Sequence, residues 1–447
     1  MSVVDYVKEA GVIGCGGAGF PTHVKLSARA DHFILNGVEC EPLLGTDKFL
    51  MRHKASAIIR AMAASADAVG ASQSTIALKS SYEREILALT SAIEESGADI
   101  HILCMENFYP AGDEQCVVYE VTGKAVPPGG IPLDVGAVVS NAATMYAVDN
   151  ALLSRPFIKK YLTVAGEMPQ PKVIRAPLGT PILECIRQVK ATISDDHIVM
   201  VGGPIMGKIV DVFDEAAVVT KTTSGILLLR RNGPVALNSS LSWNRIKRRA
   251  ASVCIQCNYC TQLCPRALLR HPLEPHKIMR RLAYAPSLEA ILEEPVIRSA
   301  LLCSGCGLCT LYSCPMGLQP REVNMEIKKR LGERKIRYDK HEVAEPLAER
   351  EWRKVPRTRL EARADVAHYS TPKDDFAEVA HHRVTLPLFQ GLGSPGEPIV
   401  AVGEHVTAGQ LIAICPERQL GSNLHASISG TVVGVKSSIT IEGEAKT

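Results

Sequence analysis

Eight cysteines carry the plainest chemistry in this 447-residue sequence. Cys254, Cys257, Cys260 and Cys264 are followed by Pro265, and Cys303, Cys306, Cys309 and Cys314 by Pro315. The first run is C-x2-C-x2-C-x3-C-P, the spacing of a [4Fe–4S] cluster; the second has one extra residue before its last cysteine. Two-residue gaps let a loop wrap three thiolates around three irons of a cube, and the fourth iron needs a thiolate from elsewhere. A pair of zinc sites is the competing reading, but a run of this shape, ending Cys-Pro and present twice, favours iron. The remaining six of the fourteen cysteines are scattered, so the clustering argues for metal ligands over disulfides.

In two-cluster ferredoxins the fourth cysteine of each run serves the other cluster. The expected ligand sets are therefore crossed. Cys254, Cys257, Cys260 and Cys314 hold one cluster; Cys303, Cys306, Cys309 and Cys264 hold the other.

A second chemistry lies in "GVIGCGGAGFPTHVKL". Gly14, Gly16, Gly17 and Gly19 permit close backbone approach, and consecutive N–H groups there could cradle a phosphate. A side chain at Gly17 is expected to block such a ligand, and Lys25 follows within reach of one. The pattern is neither G-x-G-x-x-G after a strand nor a P-loop. Three further stretches put polar groups after apolar runs: "FILNGVECEP" with Asn36, Glu39 and Glu41; "NFYPAGDEQ" with Tyr109, Gly112, Asp113 and Glu114; and "VVSNAATMYAV" with Asn141 and Thr144. Open α/β sheets bind ligands at such strand ends.

These residues need a scaffold. "STIALKSS", "YEREILALTSAIEESG" and "DIHILC" alternate strand, helix and strand, which predicts an α/β domain over 1–157. Short strands around "LGTPILECI" and "VGGPIMGKIV" predict a β-grasp module over 158–235. The block 236–335 is a small helical ferredoxin-like domain. Its basic residues (Arg245, Lys247, Arg248, Arg249, Arg280 and Arg281) read as solvated helix faces, or as a docking surface for an acidic partner. The charged, proline-spaced stretch 336–379 reads as a linker, which would leave the rest of the chain separable from the tail. That tail, 380–447, alternates apolar and polar residues between Gly and Pro turns and reads as a small all-β domain.

The order GxGGAGFPTxxK, NGxExEP, YPxGDE and NxxT resembles the flavin-binding subunit of respiratory NADH dehydrogenase, and more closely the C subunit of Rnf-type electron-transfer complexes. The resemblance implies an FMN site with NADH stacked over the flavin. By it, Gly14, Gly16, Gly17, Gly19 and Lys25 touch FMN or NADH, and Phe20 lies near the nicotinamide nucleotide. Asn36, Glu39, Gly112, Asp113, Asn141 and Thr144 surround the flavin, while Glu41 and Glu114 face NADH. The chain has Cys15 and Val38 where the respiratory subunit has Arg and Asp. The middle module resembles the soluble-ligand-binding β-grasp domain of the same family. The tail resembles the barrel-sandwich hybrid fold of lipoyl carriers, but His425-Ala426-Ser427-Ile428-Ser429 holds no carrier lysine. It is therefore expected to bind or assemble, with His425 structural. A hybrid domain placed last is similar to the cobalamin reductases of propanediol-utilising bacterial microcompartments.

Bulk properties agree with an ordinary globular protein: 46% hydrophobic, 22% charged, net charge +3. The charge is too near balance to argue for nucleic acid. No apolar stretch is long enough for a membrane span, and the first residues lack the pattern of a secretory signal. The expectation is an NADH-dependent flavo-iron–sulfur reductase with FMN and two [4Fe–4S] clusters. By resemblance its acceptor is cobalamin, its partners an adenosyltransferase and shell proteins, and its location the cytoplasm within a microcompartment. No general acid or base is assigned. The alternatives are an Rnf-type electron-transfer component and a non-catalytic electron-transfer scaffold.

Overall fold

The computed structural model describes residues 1–342 and 344–444. Its N-terminal part is built on four parallel strands, in the order His101–Met105, Gln73–Lys79, His32–Asn36 and Ala137–Asn141. The apolar run "FIL" is wholly buried in the third of these, as expected for a strand covered on both faces. Helices Ala55–Val69 and Glu83–Ser96 each stop at a left-handed glycine, Gly70 and Gly97. His32–Asn36 and Ala137–Asn141 pair in register, so Asn36 and Asn141 stand side by side at the carboxyl ends of adjacent strands. Helices Thr46–His53 and Ala142–Leu152, which follow these two strands, pack on each other, and a crevice opens at the strand ends.

The middle part is a β-grasp sheet. The hairpin Lys159–Gly166 and Lys172–Pro177 is antiparallel, Gly225–Arg230 runs parallel to its first strand, and helix Ile182–Gln188 lies between them in sequence. The cysteine-rich part packs helices Trp243–Val253, Pro275–Tyr284 and Pro320–Glu333 around Ile246, Ile278, Leu282, Val323 and Ile327. The latter two helices begin with proline, where the missing N–H costs nothing.

The expected linker is a correction. Residues 348–378 are woven into the body of the protein. Val355–Pro356 pairs with Phe108–Tyr109, and Phe376–Glu378 forms the edge strand of the β-grasp sheet. Arg350 is buried against Glu120 at 2.5 Å, and Arg357 is buried beside Glu361 at 2.7 Å. Arg350, Lys354 and Arg357 of this stretch thus have carboxylate partners within the protein. The tail is likewise not tethered: Val384, Leu386, Val432 and Ile441 from its four-stranded sheet, and Ile412 and Leu424 from its three-stranded sheet, share one core with Leu162, Ile174 and Ile226. Lys221, buried between the parts, donates to the carbonyls of Gly11 (2.7 Å) and Asn423 (2.6 Å).

Candidate functional site

The crevice at the strand ends deepens into a cavity of about 350 Å³. All the candidate flavin and nucleotide residues line it except Gly17 and Gly19. The glycine loop closes on itself through the Gly14 N–H, which donates to Phe20 O at 2.8 Å; the Cys15 N–H donates to Thr144 Oγ1 at 2.9 Å. Asn141 caps helix Ala142–Leu152 with Oδ1 and donates through Nδ2 to Asp47 at 2.6 Å. Asn36 donates to Gly112 O at 3.0 Å, tying the first strand end to the YPAGDE loop. Lys25 donates to Glu114 at 3.0 Å and to Val139 O at 2.7 Å.

The glycines differ in role. A Cβ on Gly112 would run into Val38 O and lie 3.0 Å from Cys40 Sγ, so a bare backbone is required beside the cavity. Gly19 has no space for a Cβ either, but the obstacles are Gly391 and Thr222, so it serves packing of the tail. Gly17 sits in a left-handed conformation (φ +113°) and a Cβ there meets nothing within 4 Å.

Burial governs the charges. It pushes the Glu39 carboxyl up to about 8, with Asp47 adding to the shift and Arg357 opposing it. It pushes Glu41 up to about 7 against the Ile205 amide, which donates to it at 2.9 Å, and it raises Asp47 as well. Glu39 therefore keeps its proton near neutrality, and the pocket is less negative than its carboxylates suggest. Asp47 and Lys160 also line this cavity and carry no motif that reveals them in sequence.

Two further cavities gather the cysteines. Cys264, Cys303, Cys306 and Cys309 surround one; Cys254, Cys257, Cys260 and Cys314 surround the other. The loops turn through left-handed residues, Gln256 and Asn258 in the first run and Gly305 and Gly307 in the second, which lets successive thiols converge. The extra residue of the second run is absorbed by a π-helical turn at Cys309–Ser313, which holds one more residue than an α-turn. Among the described residues no three His, Cys, Asp or Glu side chains gather closely enough for a single metal ion. Burial pushes Cys264 up to about 11 and Cys260 to about 12, so cationic iron would be needed to hold them as thiolates. The donor set and the glycine-walled crevice thus fit iron–sulfur clusters and a flavin.

The cavities adjoin. Ser304 and Cys306 line both the crevice and the first cysteine cavity, and Tyr109 Oη donates to Cys306 O at 2.5 Å. Of the basic residues, Arg281 pairs with Glu294 at 2.6 Å, while Lys247 and Arg249 donate to the carbonyls of Pro286 and Met316. His425 is buried, its pKa pushed down to about 4 by desolvation. Among the described residues no helix is long and apolar enough to cross a membrane.

Comparison with known proteins matches three family models. They are the Nuo51 FMN-binding domain over residues 7–150, a 4Fe-4S dicluster domain over 253–319, and the RnfC barrel sandwich hybrid domain over 368–447. The cobalamin reductase PduS of Salmonella typhimurium is 37% identical over 433 residues, covering 96% of this chain and 93% of that protein. The protein of the same name from Citrobacter freundii is 35% identical over 449 residues, covering 99% and 96%. The C component of the Na(+)-translocating ferredoxin:NAD(+) oxidoreductase complex of Acetobacterium woodii is 33% identical over 265 residues, covering 58% and 56%.

Proposed function

The chain belongs to the cobalamin reductase PduS family, and from that premise we propose that it carries electrons from NADH through FMN and two [4Fe–4S] clusters to cobalamin. The acceptor's cobalt goes from Co(III) to Co(II) or Co(I). The observation that carries this reading is the shared wall: Ser304 and Cys306 border both the flavin crevice and the first cysteine cavity. A bound flavin accepts a hydride pair and iron–sulfur centres carry single electrons, the conversion a one-electron cobalt step requires.

The chain's own residues place and insulate these groups. Gly112 leaves room for the flavin, and Asn36 and Asn141 fix the two strand ends around it. Glu39 holds a proton at its carboxyl, which limits repulsion of an anionic cofactor. Crossed ligation places Cys264 with Cys303, Cys306 and Cys309 next to the flavin, and Cys314 with Cys254, Cys257 and Cys260 beyond. The exposed side chains of Ile255 and Tyr259 put that second centre near the surface, where an acceptor can approach.

Regeneration of reduced cobalamin suits a chain working with an adenosyltransferase inside a propanediol-degrading microcompartment, and that setting is part of the proposal. The Rnf-type reading is less well supported, since the Acetobacterium protein aligns with only 58% of the chain. Anaerobic turnover with NADH and hydroxocobalamin tests the function.

A further inference from the structure

A second cavity, of about 370 Å³, lies beside the flavin crevice and shares Cys15, Ala143, Lys160 and Tyr161 with it. Its charge is opposite in character. The crevice is lined by Glu39, Glu41, Asp47, Asp113 and Glu114 against two lysines. The second cavity is lined by Arg155, Lys159, Lys160 and Arg175, with no carboxylate among the described lining residues. Lys159 and Arg175 share one counter-charge outside the lining, Glu378, at 2.6 and 3.7 Å. Arg155 stands exposed at the rim.

Lys160 is the informative residue. It sits near the start of the strand Lys159–Gly166, is 3% exposed, and lines both cavities. Among the described residues its ammonium makes no hydrogen bond and no ion pair within 4 Å; Asp47, across the crevice, is the carboxylate that feels its charge. Ammonium N–H donors that open onto a cavity without a hydrogen-bond partner in the protein are available to an anionic ligand there. Two aromatic rings, Tyr146 and Tyr161, edge to face at 5.5 Å, add an aromatic wall. Ala408 and Gly409, in the turn between strands His405–Val406 and Leu411–Ile414 of the C-terminal domain, also line it.

We propose that this second cavity is an anion site for a phosphate ester, with Lys160 as its innermost contact and Arg155 at its mouth. A phosphate matches the donor set in charge and in its number of acceptor oxygens. The phosphate has two sources: the flavin nucleotide held in the adjoining crevice, or a separate nucleotide.

The test uses the full-length, flavin-loaded protein and Lys160→Met, with Lys160→Arg as the charge-retaining control for folding. Inorganic pyrophosphate binding is measured by calorimetry, and FMN and riboflavin affinities by fluorescence after flavin removal. If the wild type binds pyrophosphate with its flavin in place, and Lys160→Met weakens this about tenfold or more while keeping flavin, the site serves a separate nucleotide. If Lys160→Met instead weakens FMN about tenfold or more and leaves riboflavin unchanged, the site serves the flavin's own phosphate. Either result supports the anion site, and Lys160→Arg should restore most of the binding. A Lys160→Met protein that binds FMN and pyrophosphate as the wild type does overturns it.

Discussion

Arg266 Nη2 lies 2.9 Å from Asp113 Oδ2, and the two side chains are only 10% and 9% exposed. Asp113 lines the flavin crevice and caps helix Glu114–Thr122 with its other oxygen; Arg266 lines the first cysteine cavity, two residues after Cys264. One buried ion pair thus fastens the wall of the crevice to the loop of the neighbouring centre. Arg266→Met would leave the Asp113 carboxylate buried without its counter-charge, a loss of about 3–5 kcal/mol. Urea unfolding should show the drop, accompanied by reduced flavin content. An unfolding midpoint equal to that of the wild type would show that the pair does not hold the two sites together.

Cys264 belongs to the first run by sequence and to the second by space. Cys264→Ala should therefore lose the same iron–sulfur signal as Cys303→Ala in paramagnetic resonance of the dithionite-reduced protein. The signal lost in Cys254→Ala should persist in it. A spectrum of Cys264→Ala that matches Cys254→Ala would refute crossed ligation.

The glycines separate pocket from turn. Gly112→Ala drives a methyl into Val38 O and should abolish flavin binding while iron content holds. Gly17, where the sequence expects bulk to block the ligand, does not line the crevice, and a Cβ there meets no protein atom within 4 Å. Gly17→Ala should cost only backbone strain, about 1–2 kcal/mol, and retain flavin. Equal flavin loss in both variants, by absorbance after gel filtration, would put the loop tip back in the site.

Glu41 gives the fold a pH signature. Its carboxyl is raised from 4.5 to about 7 in the folded protein, chiefly by burial. Between those values the folded state binds a proton that the unfolded state does not. Stability contributed by Glu41 is therefore full below pH 4.5, falls as pH rises toward 7 and is flat above it. Glu41→Gln should remove that slope and become relatively more stable at pH 8 than at pH 5, by on the order of 2 kcal/mol. Parallel stability–pH curves for the two proteins would show that Glu41 titrates normally.

Much of this was readable from the chain because the cues are local. "FILN" and "VVSN" each end an apolar strand in a polar residue, and the crevice forms where those two asparagines meet. The cysteine spacing foretold clusters for the same reason. What was hidden depends on partners distant in sequence. The charges of 336–379 looked solvated because nothing near them shows that Arg350 meets Glu120. The tail looked separable because alternation reveals an inward face without revealing what it packs on. Lys160 reads as an ordinary strand lysine, and only the cavity on either side marks it as unusual.

In the proposed function, electrons flow from NADH to cobalt through the cysteine-bound centres. Anaerobic stopped-flow absorbance with NADH and hydroxocobalamin tests it most directly, comparing the wild type with Cys257→Ala, whose residue lies in the outer cavity and does not line the flavin crevice. The wild type should bleach its flavin and reduce the corrin. Cys257→Ala should bleach its flavin at a similar rate but reduce the corrin far more slowly. Flavin bleaching with no corrin reduction in the wild type, or corrin reduction undiminished in Cys257→Ala, would contradict it.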